Sequence, residues 1–267
     1  MSSRTLPSVL VTGAARRLGK TIAERFAAAG WHVVIHHLHS DDDAESLAAA
    51  LPSAEVVSFD LADSDAIESC VNDLAARVEG WCALINCASI FEFDDARLID
   101  HDTFDHSMKI NAEGPVLLAQ RYLAKARTQT GRCVINVLDQ KLANMNPDFF
   151  SYTMAKAALA SATEMLAMAR RGTPDRIYGL CPGAMLPSFD QVEAEHEASG
   201  RMNLLHRLTD PDELADAALF LASGVAASGQ VLYVDSGQHL MQQERDVLFL
   251  ARGDSQTDAR LPLASDG

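Results

Sequence analysis

The sequence predicts an α/β fold: a doubly wound, seven-stranded parallel sheet forming the middle of three layers, α/β/α. Three observations predict it. Short runs rich in β-branched residues alternate with longer stretches of helical periodicity, the first run opens into a glycine turn, and no Pro/Gly/Ser linker, repeat or low-complexity tract interrupts the series before about residue 240. Strand and helix in strict alternation build parallel neighbours through right-handed crossovers, so both faces of the sheet need a helical cover.

The elements follow in order. Residues 8–12, 32–36, 55–59, 83–86, 133–137, 177–181 and 230–234 are the candidate strands, each a short apolar run. After the first, Leu18, Ile22, Phe26 and Ala27 repeat at helical spacing, and Gly30 supplies the stop. After the second, Ser40 is placed to cap a helix whose first turn carries Asp41, Asp42 and Asp43, acids that oppose the helix dipole. Residues 184–208 break the alternation after a Pro-Gly pair and read as a helical flap over a site. Residues 241–267 read as a polar tail around an apolar VLFLA, docked on a neighbouring subunit or loose. The expected organisation is one domain over residues 1–240 followed by that tail.

Composition bounds the function. A chain of 267 residues with 48% hydrophobic content can bury one large core. With 37 acids against 22 bases, a formal charge of −15 repels nucleic-acid phosphates and anionic lipid, so no nucleic acid and no membrane are expected as partners. The five cysteines, Cys70, Cys82, Cys87, Cys133 and Cys181, form no CxxC or zinc-type spacing. A reducing cytoplasm and no metal are the expectation. No apolar stretch of 18 residues is present, and the chain is expected to be soluble and unprocessed.

The segment from Asp139 to Lys156 carries the chemistry. Tyr152 and Lys156 lie four apart, which on a helix puts phenol and ammonium on one face. Tyrosine ordinarily releases its proton near pH ~10, so a nearby cation that lowers this value makes it a usable acid. Upstream, TGAARRLGK is a glycine turn opening a helix: Gly13 permits close backbone approach, Gly19 permits tight packing, and the helix start favours a phosphate. Arg17 stands where the usual GxxxGxG spacing has its middle glycine, so two glycines alone also suit a plain strand-to-helix connection; the position after the first strand favours the phosphate turn. At the end of the second strand no acid occupies His36 or His37, while Arg16, Arg17, His39 and Ser40 are available for a 2′-phosphate, which favours NADPH over NADH. The clustered histidines do not read as a metal site, because a strand alternates their directions.

These motifs in this order resemble the short-chain dehydrogenase/reductase family over roughly residues 7–240: TGAARRLG, Asp60-Leu61, NCAS from Asn86 to Ser89, Asn111, YTMAK and CPG. The resemblance implies a nicotinamide cofactor along the carboxyl ends of the strands, contacted also by Leu18, His37 and Ser89. It implies Asp60 and Leu61 near the adenine, Asn86 and Ala88 near the ribose, and Pro182-Gly183 beside the nicotinamide. It further implies Lys156 holding the nicotinamide ribose and lowering the Tyr152 pKa, Asn111 drawing a water into the proton relay, and a homotetramer. Cys87 and Ser89 depart from the family's usual asparagine and glycine.

Asp139 is the departure with most chemical weight. Thirteen residues before the tyrosine, most of the family keeps a serine that donates to a substrate carbonyl, and an ionised aspartate cannot donate. It would repel the oxyanion of ketone reduction and suits a substrate presenting N–H donors or protonated on nitrogen. Here the chain resembles the pteridine reductase branch, in Arg17, in the histidine-serine end of the second strand, in the set Asp139, Tyr152 and Lys156, and in Phe91. That aromatic is expected to sandwich a pterin against the nicotinamide, a stack worth ~1 kcal/mol beyond its area. The expected activity is NADPH-dependent reduction of a dihydropterin C=N bond to the tetrahydro form, with Arg17, Ser89, Phe91, Asp139 and Tyr152 at the substrate. A dihydromonapterin-like substrate suits the −15 charge better than a folate with its glutamate tail, although Arg201 and Arg207 in the flap oppose that locally. Two other readings stand beside it: a carbonyl reductase of keto or 3-oxoacyl substrates with Asp139 structural, and a non-catalytic NADP(H)-binding sensor.

Overall fold

The computed structural model describes residues 6–188 and 190–253. Its strands are β1 (Ser8–Val11), β2 (His32–His37), β3 (Ala54–Ser58), β4 (Trp81–Asn86), β5 (Cys133–Val137), β6 (Arg176–Pro182) and β7 (Val231–Val234). They form one sheet in the order β3-β2-β1-β4-β5-β6-β7, every pair parallel. Each expected strand is present, its ends displaced by at most two residues.

The helices are α1 (Arg17–Ala28), α2 (Asp41–Ala50), α3 (Ser64–Arg77), α4 (His101–Met108), α5 (Gly114–Lys125), α6 (Phe150–Ala169), α7 (Glu193–Gly200), α8 (Pro211–Ala222) and α9 (Val247–Arg252). Alternate strand residues feed two cores. Val9, Val11, Val33 and Ile35 pack with Ile22 and Phe26 of α1 and Leu214 of α8, whereas Leu10, Val34 and Leu84 pack with Ile67 of α3 and Leu118 and Tyr122 of α5. Fully burying each such side chain contributes about 1.5–3 kcal/mol, so the sheet is fixed from both sides. Among the described residues no helix is long and apolar enough to cross a membrane.

Local chemistry sets the ends of the elements. α1 stops in a Schellman motif: Gly30 takes a left-handed φ of +82°, its N–H donates to Ala27 O at 3.0 Å, and Trp31 N–H donates to Phe26 O at 3.1 Å. The Phe26 and Trp31 rings then meet edge to face at 5.1 Å. Gly114 packs so closely under the Asp60-Leu61 loop that a Cβ there would lie 2.4 Å from Leu61 O. One expected cap is absent, since the Ser40 side chain makes no capping bond and its backbone N–H instead donates to His37 Nδ1 at 3.3 Å. A turn of π-helix, Lys109–Glu113, joins α4 to α5 and carries Asn111.

Away from the site, Asp175 is buried before β6 and accepts from Arg132 Nε and Nη2, both at 2.9 Å, and from Arg170 Nε at 2.8 Å. It ties the loop before β5 to the end of α6. Removing it would strand two partly buried guanidiniums, so Asp175→Ala is expected to lower the unfolding free energy by about 3 kcal/mol. Urea denaturation followed by circular dichroism checks this; a loss under about 1 kcal/mol would mean the network is effectively solvated.

Candidate active site

The order of the sheet reverses between β1 and β4, because the chain winds outward to β3 and then returns to the other side of β1. At the carboxyl ends of these strands the following loops part, and a cavity of about 940 Å³ opens there. It is lined by Gly13, Arg17, Leu18, Gly19, His37, His39, Ser40, Asp60, Leu61, Ala88, Ser89, Phe91, Asp139, Tyr152, Lys156, Pro182 and Gly183. The sequence singled out every one of these. Its two other site residues, Asn86 and Asn111, do not line the cavity.

The glycine turn is held by neighbours more than by itself. Gly13 has a φ of +65°, and a Cβ on it would lie 2.9 Å from Ala88 Cα. A Cβ on Gly19 would lie 2.2 Å from Gly13 O. Thr12 Oγ1 accepts from the Cys87 and Ala88 amides at 2.9 and 3.0 Å, binding the loop after β4 to the end of β1. His36 Nδ1 accepts from Gly13 N–H at 3.2 Å, while its Nε2 donates to Phe59 O at 3.0 Å. That pattern requires the neutral ring, and burial pushes the His36 pKa down to about 4. The sequence reading passed over Thr12 and saw in His36 only a missing acid. The signal available was a hydrogen-bonding side chain beside a glycine turn whose amides need partners.

The start of α1 fits an anion. Its N-cap, Arg16, makes no side-chain capping bond, and its first turn holds no acid. The cations are otherwise engaged: Arg16 pairs with Asp43, and Arg17, in a left-handed φ of +52°, donates from Nη2 to Pro187 O at 2.7 Å. Arg17 thus joins the turn to the flap. His39 is exposed at the rim. A dinucleotide lying from the α1 turn toward Tyr152 fits this cavity, its phosphates where the two glycines leave no room for side chains. Among the described residues no cluster of His, Cys, Asp and Glu is placed to hold a metal ion.

At the inner end Tyr152 donates its hydroxyl to Asp139 Oδ2 at 2.7 Å, and Asp139 Oδ1 accepts from Lys141 N–H at 2.8 Å. Burial raises the Asp139 pKa, and burial followed by the charge of Asp139 raises Tyr152 well above the usual phenol range. The expected depression of the phenol by Lys156 is therefore corrected. Lys156 Nζ donates to Val137 O at 2.8 Å and sits 5.6 Å from the centre of the Tyr152 ring, and burial lowers its own pKa.

One carried-over role also changes. Asn86 turns away from the cavity, donating to Asn136 Oδ1 at 2.8 Å and Pro115 O at 3.2 Å, so it braces β4 against β5 and α5 and does not reach a ribose. Asn111 accepts from Ser89 Oγ and Ile90 N–H, both at 2.9 Å, and donates to Ile90 O at 2.9 Å. Its side-chain amide clamps the 89–90 loop.

Phe91 presents to the cavity with one face stacked on Phe149 at 3.9 Å and its ring edge-on to Tyr152 at 4.7 Å. Phe149 holds a left-handed φ of +52° that aims its ring there. The segment expected as a loose or intersubunit tail lies, through residue 253, on its own chain; the remainder falls outside the described residues. Asp246, Val247 and Leu248 line the cavity, and Phe249 joins the Phe149 cluster at 5.9 Å. Lys141 Nζ donates to Asp246 Oδ2 at 2.8 Å, Arg245 Nε donates to Asp148 Oδ2 at 2.7 Å, and Arg252 reaches flap residues Asp190 and Glu195 at 3.1 Å. Met185, Leu186, Ser188, Gln191 and Ser199 bring the flap to the cavity wall.

A family model described as enoyl-(acyl carrier protein) reductase matches residues 13–239. Among solved structures, FolM alternative dihydrofolate reductase 1 from Brucella canis, complexed with NADP, superposes with a TM-score of 0.84 and 32% identity, covering 91% of this chain and 97% of that one. Pteridine reductase 1 of Leishmania tarentolae is 28% identical over 90% of this chain and 98% of its own. Galactitol 2-dehydrogenase of Agrobacterium fabrum is also 28% identical, over 80% and 89%.

His36 gives the site a pH signature. Its folded pKa of about 4 lies below the unfolded 6.5, so the unfolded chain binds the proton more readily. Its contribution to stability is whole above pH 6.5, declines as pH falls toward 4, and totals roughly 3 kcal/mol. Thermal melts of the wild type and His36→Phe from pH 8 to 4 check this. The variant is expected to lose part of the acid-side decline, and an unchanged decline would clear His36 of the role.

Proposed function

We propose, from the premise that the chain belongs to the short-chain dehydrogenase/reductase family and is related within it to the pteridine reductases, that it reduces a pterin C=N bond with NADPH. The coarser activity, a nicotinamide-dependent oxidoreductase, follows from the family. The finer one rests on a single observation: a half-buried carboxylate, Asp139, accepts a hydrogen bond from Tyr152 at the inner end of the cavity. A ketone reduced there would place its developing oxyanion against that negative charge, at a high electrostatic cost in a dry site. A ring nitrogen that gains a proton, and neighbouring N–H groups that donate, meet the opposite situation.

When bound, the cofactor supplies a hydride to the ring carbon. Tyr152 delivers the balancing proton to the nitrogen, and Asp139 accepts N–H from the heterocycle and keeps the phenol oriented. Lys156, whose ammonium donates to Val137 O, would hold the cofactor ribose. Gly13, Leu18 and Gly19 would give backbone approach to the pyrophosphate, and His39 and Ser40, with Arg17 once it exchanges its bond to Pro187 O, would receive the 2′-phosphate that selects NADPH. Asp60 and Leu61 would flank the adenine, Ala88 and Ser89 the ribose, and Pro182 with Gly183 the nicotinamide, all of them residues of the cavity wall. Phe91 offers a stacking face for the flat ring. Arg201 pairs with Glu197 at 2.7 Å and Arg207 with Glu213 at 2.8 Å, so these flap cations are already matched. That supports a neutral side chain of dihydromonapterin type over a glutamate tail. A homotetramer belongs to the same reading, and light scattering tests it.

NADPH oxidation with dihydromonapterin or dihydrobiopterin, set against acetoacetyl thioesters, tests the substrate class, with the pterin expected to turn over and the thioester not. Tyr152→Phe and Asp139→Ala should each cost at least about a hundredfold in pterin turnover. NADPH affinity, read by fluorescence, should change by less than about threefold in both, a change under 0.7 kcal/mol. Preference for the thioester, or an active Asp139→Ala, would leave only a generic reductase.

A further inference from the structure

We propose that Lys141 is a positioning residue that sets the charge of the Asp139–Tyr152 pair, and that Asp246, delivered by the C-terminal segment, is its counterweight. The inference deepens the reading of Tyr152 as proton donor and rests on it.

Lys141 is 2% exposed and works from both ends. Its backbone N–H donates to Asp139 Oδ1 at 2.8 Å, and its ammonium donates to Asp246 Oδ2 and Asn146 Oδ1, both at 2.8 Å. Asp139, Lys141 and Asp246 all line the cavity. Residue 141 follows the catalytic carboxylate by two positions, whereas residue 246 arrives from the far end of the chain to meet it.

The charged and titratable groups around the Asp139–Tyr152 pair come from four directions: Lys141 on the turn of Asp139, Lys156 on α6 beside Tyr152, the Cys181 thiol on β6, and Asp246 ahead of α9, which acts on Tyr152 and bonds Lys141. The Asp148–Arg245 pair stands behind Asp246, which donates its backbone N–H to Asp148 Oδ2 at 2.8 Å. Near the proton donor two ammonium groups therefore face two carboxylates. Lys141 favours the ionised form of Asp139, and Asp246 opposes ionisation of Tyr152. Had the contact served only to fasten the segment, burial of Val247 and Leu248 would do so without desolvating an ion pair.

The fastening and charge-setting roles predict different outcomes for two single substitutions. Lys141→Met removes a cation and Asp246→Asn removes an anion, while asparagine retains the helix cap made by Asp246 Oδ1 to Leu248 N–H at 3.0 Å. Two readouts are taken: the acid limb of the kcat profile with dihydropterin, and the 13C NMR titration of the Asp139 carboxyl, assigned with Asp139→Asn. Lys141→Met is expected to move both upward by about one pH unit, Asp246→Asn to move both downward, and the double substitution to return them toward wild type. Equal activity losses with unmoved titrations in both single variants would overturn the proposal. So would a shift of the same sign in both. Asp246→Asn alone decides the matter if Lys141→Met fails to fold. The NMR titration needs no substrate, so opposite shifts in a protein that ignores pterins would sink the substrate reading and leave this one standing.

Discussion

Everything at the carboxyl edge of the sheet depends on how the backbone amides bared at the β1/β4 divergence find partners. Three neutral side chains meet that need: Thr12 for the loop after β4, His36 for the glycine turn, and Asn111 for residues 89–90. Each bonds main chain on another element, so the loops are fixed by the sheet and not by their own stiffness. A cofactor arriving there finds its contacts already spaced, which spares part of the ordering cost of binding. His36 also shows why no acid sits at its position: a carboxylate could not both accept from Gly13 and donate to Phe59.

Deeper in, the site is charged where a protein interior resists charge. Tyr152, Lys141 and Lys156 are nearly enclosed and Asp139 is half-buried beside them, and desolvation pushes Asp139 and Lys156 toward their neutral forms. Such an arrangement persists only if each charge has a partner, and the partners come from distant elements: Val137 O for Lys156, Asp246 for Lys141. The result is a hydrogen-bonded pair, Asp139 and Tyr152, whose pKa values are both moved upward by burial. A ligand that brings N–H groups would relieve Asp139 in particular.

Much of this was legible in the residues. Strand positions followed from short apolar runs, the turn from Gly13 and Gly19, and the chemical core from the spacing of Asp139, Tyr152 and Lys156. What escaped was set by direction or by long range. Asn86 ends a strand, and whether its amide faces cavity or core depends on the partner across the sheet, Asn136, which no local pattern reveals. Asn111 lies in a π-helical turn that reorients its side chain toward Ile90. Lys156 was read as acting on the phenol because helical spacing brings the two near, but the nearest acceptor is the Val137 carbonyl on β5. The VLFLA stretch showed its apolarity but not its destination. Its docking rests on pairs nearly a hundred or more residues apart, Arg245 with Asp148 and Asp246 with Lys141.

The rim of the cavity is stitched by two arginines from opposite ends of the fold, Arg17 to Pro187 and Arg252 to Asp190 and Glu195. Translation delivers these stitches in a fixed order. Most of the sheet can assemble while the ribosome is still at work, since domains fold from the amino terminus as they emerge. The last seam waits for residues 246–252, so a growing chain holds the Asp139–Tyr152 pair beside an open flank until that segment has emerged. The sheet and its glycine turn thereby stand before the wall of the cavity is complete.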